Sequence, residues 1–180
     1  MALQPADLTG YVTRDLDADL ARWLAGEPRV TLPAAVALVT PFLSLLPASD
    51  AAALAGFDSR VRSGALPQFL DVYDWSYGFD FAANDCAVHN AEQVWSLGAD
   101  GGGNLYCVLP DGEIGIWFHE EELIEDGTRF DNLDVFLWSA VRYRAIQLGV
   151  LALADVRDDF VSLGQGGVLH PELGLIHSLT

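Results

Sequence analysis

The stretch NLYCVLPDGEIGIWFH, residues 104–119, constrains the fold more than any other. Two runs alternate around a Pro-Asp-Gly turn. In the first, Leu105, Cys107 and Leu109 fall on one side, with Tyr106 and Val108 on the other. In the second, Ile114, Ile116 and Phe118 oppose Glu113, Trp117 and His119. A period of two is that of a pleated strand, whose side chains point alternately to opposite faces. Pro110 presets its φ, Asp111 bonds its own backbone, and Gly112 takes a positive φ. The pattern predicts a β-hairpin.

The flanking segments set the fold class. RDLDADLARWLAGEP places Leu16, Leu20, Trp23 and Leu24 at helical spacing, and Gly26 and Pro28 stop the run. TLPAAVALVTPFLSLLP reads as a helix with Pro33 in its first turn and a break or kink at Pro41. In SDAAALAGFDSRVRSG, Ser49 or Asp50 can cap, and Leu54, Phe57 and Val61 line one face. The aromatic stretch at residues 65–85 suggests one or two strands, and residues 92–97 another. After the hairpin, Asp131 or Asn132 can cap a helix whose stripe is Leu133, Phe136, Leu137, Ala140, Val141 and Leu148. That helix ends at Gly149 or runs on through VLALADV. Helices first, strands in the middle and a helix after them do not give the alternation of a parallel sheet. The expected class is α+β, a mainly antiparallel twisted sheet with helices on one face. At 180 residues the chain reads as one domain, 1–180, long enough to bury roughly 70% of its unfolded surface.

No segment carries a catalytic signature. GADGGGN holds Gly98, Gly101, Gly102 and Gly103, but a strand follows, so no helix N-terminus faces a phosphate. The chain has no lysine, so it has no P-loop. The glycines read as a tight strand-to-strand connection needing positive φ. HEEEL at residues 119–123 has Leu123 where a zinc-protease motif needs its second histidine. No nucleophile elbow is present. No catalytic residue, no metal and no cofactor is therefore expected, with a small metal-dependent hydrolase kept as an alternative to a binding role.

Charge bears on partners. Twenty-six acidic residues against nine basic ones, all arginine, give a net charge of −17. Such a field repels nucleic-acid phosphates and anionic lipid. It steers a basic partner in, or serves solubility alone. Cys86 and Cys107 are too few for a disulfide framework or a zinc knuckle. The first residues, MALQPADLTGY, have no basic flank and no apolar core of a secretory signal. The longest apolar runs, such as residues 34–39, fall short of the ~20 needed to span a bilayer. These features lead to the expectation of a soluble, cytoplasmic protein.

From VWSLGADGGGNLYCVLPDGEIGIWFHEEE to FDNLDVFLWSAVRY the chain resembles the SMI1/KNR4 family, also called the SUKH superfamily. Gly98, Asp100, Gly101, Gly103, Asn104, Tyr106, Gly112, Ile116, Trp117, His119, Glu120, Phe130, Leu133, Phe136 and Leu137 follow that family's order. The best-matching core is residues 92–145. The helical part, 1–65, diverges: Leu32-Pro33 or Leu66-Pro67 can stand for the usual Leu-Pro helix start, and no Asn-Gly pair occurs. The tail, 150–180, is atypical. The resemblance implies a non-enzymatic binding fold. Bacterial members are regarded as cytoplasmic immunity proteins that block toxin domains by direct contact, and eukaryotic relatives act as regulatory interaction modules. An acidic inhibitor suits the basic cleft of a nuclease-like toxin.

Interfaces use aromatic anchors with charged rims. The expected partner-binding residues are therefore Asp100, Glu113, Trp117, His119, Glu120, Glu121 and Glu122, with a core position as the competing reading of Trp117.

Overall fold

The computed structural model describes residues 2–33, 35–70, 75–127 and 129–165. The predicted hairpin forms. Strands β2, Leu105–Val108, and β3, Ile114–Phe118, pair antiparallel, with Val108 opposite Ile114 and Leu105 opposite Trp117. The Gly112 N–H donates to the Leu109 carbonyl at 2.9 Å, and Asp111 Oδ1 accepts from the Glu113 N–H at 3.0 Å. Gly112 takes φ +92°, as the turn requires. Strand β1, Trp95–Ala99, pairs with β2, and β4, Leu123–Ile124, pairs with β3. The result is an open four-stranded antiparallel meander in the order β1-β2-β3-β4.

Both faces of this sheet are covered. Tyr106, Val108, Ile114 and Ile116 join the main core with the helices. Leu105, Cys107, Trp117, Ala99 and Ile124 form a second, smaller cluster on the opposite face. Phe79, Phe81, Cys86, Val88, Ala91 and Val94 cover that cluster. They come from a stretch without helix or strand. The molecule is thus α+β, helical on one side of the sheet and looped on the other.

Six α-helices among the described residues pack the first face or its margins. They are α1, Tyr11–Arg14; α2, Leu16–Trp23; α3, Thr40–Leu43; α4, Ala48–Arg62; α5, Leu133–Gln147; and α6, Leu153–Ser162. Leu16, Leu20 and Leu24, then Leu54, Phe57 and Val61, enter the core as their spacing predicts. Asn132 caps α5 by accepting the Val135 N–H at 3.0 Å. Every residue from 133 to 141 is buried, so α5 runs through the centre of the molecule. Gly149, at φ +70°, closes the helix. Its N–H donates to the Ile146 carbonyl while the Val150 N–H reaches the Ala145 carbonyl. Leu148 lies past the end of the helix and is 38% exposed, so it leaves the expected stripe.

Several local expectations are corrected. Among the described residues the expected helix from Pro33 does not form, and Pro41 sits in the first turn of the short α3, which begins at Thr40 and where a missing N–H is no loss. Ser49 and Asp50 lie inside α4, which follows Pro47. The described part of residues 65–85 holds turns and one bridge, Arg29 to Pro67, and no strand; residues 71–74 of it lie outside the description. Leu66-Pro67 therefore sits at a bridge and starts no helix. Strand β1 begins at Trp95, later than the predicted 92. Past Gly149 the chain turns and then re-enters a helix as α6, and residues 166–180 of the tail lie outside the description. No helix among the described residues is long and apolar enough to cross a membrane.

Candidate functional site

The glycine-rich segment joins β1 to β2 at one end of the sheet. Asp100 organises it. Its Oδ1 accepts the Gly102 N–H at 2.7 Å and the Asn104 N–H at 3.2 Å, and its Oδ2 accepts Asn104 Nδ2 at 2.9 Å. Gly101 and Gly103 adopt φ of +86° and +101°, the left-handed region that residues with a Cβ rarely enter. A Cβ on Gly103 would also stand 3.1 Å from His119 Nδ1. The Asn104 amide orientation follows from Asp100: a carboxylate accepts only, so Nδ2 faces it. Asn104 Oδ1 then accepts from the His119 backbone N–H at 3.2 Å and lies 2.9 Å from His119 Nδ1. That geometry puts a proton on Nδ1 and directs Nε2 away from the loop. Asp100, Asn104 and His119 form one hydrogen-bonded chain, whose middle member, Asn104, matches the family's order but is not among the expected partner-binding residues.

Glu120 and Glu121 follow His119 in the exposed β3–β4 turn. Glu122 turns the other way. At φ +53° its Oε2 accepts the Ala87 N–H at 3.0 Å and stands 3.5 Å from His89 Nε2, while its carbonyl accepts the His89 N–H at 2.9 Å. Glu122 is a clasp for the covering loop. Trp117 is 3% exposed; its ring meets Phe81 edge-on at 4.9 Å, and Nε1 donates to the Ala87 carbonyl at 3.0 Å. The expectation that Trp117 offers itself to a partner is corrected: it is the floor of the second cluster. Glu113 precedes β3 whereas His119 follows its end, so the two stand roughly 20 Å apart at about 3.4 Å per residue. Glu113 belongs with Asp111 and Asp131 at the hairpin end, where burial first and then these neighbours hold its carboxyl above the ordinary range. Of the seven expected residues, Asp100, His119, Glu120 and Glu121 gather at one end of the sheet.

No group of three or more His, Cys, Asp or Glu among the described residues could hold a metal ion. Cys107 is fully buried, and desolvation pushes its thiol far up, so it is no nucleophile in this fold. Cys86 lies half-buried in the covering loop.

That loop carries what the sequence did not announce. The Asn90 side chain acts as an extra rung on the β4 edge, accepting the Ile124 N–H at 2.8 Å and donating to the Ile124 carbonyl at 2.9 Å. The Phe79 N–H donates to Ser96 Oγ at 2.6 Å and the Gly78 N–H to the Ser96 carbonyl at 2.9 Å. Beside the loop, Leu38 is 72% and Trp75 45% exposed. No family model, no curated protein and no solved structure matches the chain.

Proposed function

We propose that the protein is a non-enzymatic binding module of the SMI1/KNR4 kind that neutralises a basic, nuclease-like toxin domain by direct contact in the cytoplasm. The observation that carries the reading is where the charge sits. Arg14, Arg60, Arg62, Arg129, Arg142 and Arg144 are each engaged by a carboxylate of this same chain. Six of the nine arginines are thus engaged within the chain, so carboxylates far outnumber the remaining cations in presenting the net of −17. A rigid body with that field draws in a basic cleft and raises the association rate. The exposed Glu120 and Glu121, with His119 fixed beside them by Asn104, supply rim contacts on the looped side. A regulatory partner of the same basic character is the alternative within this reading.

Affinity capture from the native lysate, with the bound proteins identified by mass, tests it. The expected captive is a basic polypeptide whose toxic activity is lost on mixing and whose complex loosens as salt rises. Charge reversal, Glu120→Arg with Glu121→Arg, slows its association without lowering the unfolding temperature. A substrate turned over by this protein's own side chains, or a captive held equally at low and high salt, overturns the reading.

A further inference from the structure

The looped side of the sheet carries two adjoining troughs that share Gly78, Phe79 and Asp80 as their common wall. One, of about 470 Å³, runs between Leu38, Pro41 and Phe81; the other, of about 520 Å³, lies against Val36 and Trp75. Each has the volume of a small-ligand pocket, but both open broadly to solvent, whereas such pockets enclose most of their ligand. An open apolar trough suits a side chain projecting from a partner's surface. Apolar exposure rimmed by charge marks protein–protein contact more often than chance.

The charge around the troughs has one sign. Asp80 and Glu92 are the only ionised side chains lining them among the described residues, and both are exposed. Arg62 reaches the Ala37 carbonyl behind this segment, but its guanidinium is met by Asp58. The wall is also fixed in place. Tyr77 Oη donates to Asp58 at 2.8 Å, Gly78 and Phe79 are hooked to Ser96, and Glu122 clasps Ala87 and His89 on either side of Val88. Gly78, at φ +59°, lets Trp95 and Val36 close within 3.0 Å of where a Cβ would sit. Binding to a preformed wall spares the ordering that weakens association.

Resting on the binding-module reading, we infer that the double trough docks a cationic protein segment, seating its aliphatic or aromatic side chains beside Leu38 and Trp75 and setting its arginines or lysines against Asp80 and Glu92. Anchors in troughs govern dissociation, and rim charges such as Asp80 and Glu92 govern association.

The probe is a short fluorescein-labelled peptide carrying leucine and tryptophan among arginines and lysines, read by anisotropy. Its control has glutamate at every basic position. The wild type binds the cationic peptide, more weakly by at least tenfold at an ionic strength of about 1 M than at about 0.01 M, and does not bind the control. Leu38→Asp and Glu92→Lys change exposed side chains. Each weakens binding at least tenfold, through faster dissociation for Leu38→Asp, with an unchanged unfolding temperature. If both variants bind the cationic peptide as the wild type does, the trough is wrong and the acidic-module reading stands. If the wild type shows no salt-sensitive binding of the cationic peptide, both fall.

Discussion

Asp134 ties the start of α1 to the start of α5. It lies in the first turn of α5, is 9% exposed, and accepts two backbone N–H groups at the start of α1, that of the cap residue Gly10 through Oδ2 and that of Val12 through Oδ1, each at 2.8 Å. One side chain thus closes the N-terminus of α1 while sitting at the positive end of α5, where negative charge is favoured. Removal in Asp134→Ala strands both donors, and the Val12 bond is buried. A hydrogen bond to a charged group contributes about 1.5–3 kcal/mol, so two are worth roughly 3–6 kcal/mol. Two gains subtract from this. Alanine is the better helix former by about 0.5 kcal/mol, and repulsion with Asp50, to which Asp134 contributes, is relieved. The expected net loss is about 3 kcal/mol, a large share of the roughly 5–15 kcal/mol that holds a domain folded. In urea, at a slope of about 1–3 kcal/mol per molar, the midpoint falls by about 1–3 M. Asp134→Asn keeps one acceptor and loses about half as much. An Asp134→Ala protein that unfolds within about 0.5 kcal/mol of wild type, at an unchanged slope, refutes the two-helix role.

Two further outcomes follow from the hairpin end. Gly112→Ala places a Cβ at φ +92° and 2.6 Å from the Asp50 carboxyl carbon, which destabilises by roughly 1–3 kcal/mol; adding Asp50→Ala in thermal melts recovers the clash but not the backbone strain, so full recovery or none contradicts the geometry. Burial first, then Asp134 and Asp111, raises the Asp50 carboxyl, and Glu113 is raised in the same way. The folded state then holds these protons to higher pH than the unfolded chain, so their ionisation weakens the fold as pH rises through the window above the ordinary carboxylate range. Asp50→Asn with Glu113→Gln should melt higher than wild type at neutral pH, and the gap should narrow on acidification into that range; a gap that widens on acidification reverses the assigned sign.

The hairpin was legible because its information is local. Residues 104–119 alternate with period two, and the turn residues sit where their backbone preferences are needed. The capped start and the glycine stop of α5 were legible for the same reason, since each is decided within a turn of helix. The extent of burial around α5 was not, because a stripe describes a helix with one wet side and this one has helices and sheet around it.

Trp117 shows where local reasoning ends. It shares its face of β3 with Glu113 and His119, which makes that face read as wet. Those two polar residues flank the strand, while Trp117 within it meets Phe81 edge-on. The cover itself has no periodicity to detect. It is fastened by Asn90 to Ile124, Ala87 to Glu122 and Phe79 to Ser96, pairings between residues far apart in sequence that only the folded chain brings together. Glu122 therefore looked like a third member of a solvated acidic run while serving as a clasp, and its neighbours Glu120 and Glu121 kept the role the run suggested. A loop held by such side-chain bonds spends its apolar residues in two directions: Phe81 and Val88 reach inward to the second cluster while also lining a trough on the outside. The same segment that buries the expected anchor, Trp117, thereby creates the apolar surface beside Leu38 and Trp75. The search for a partner's footprint belongs there, with Asp80 and Glu92 as its rim.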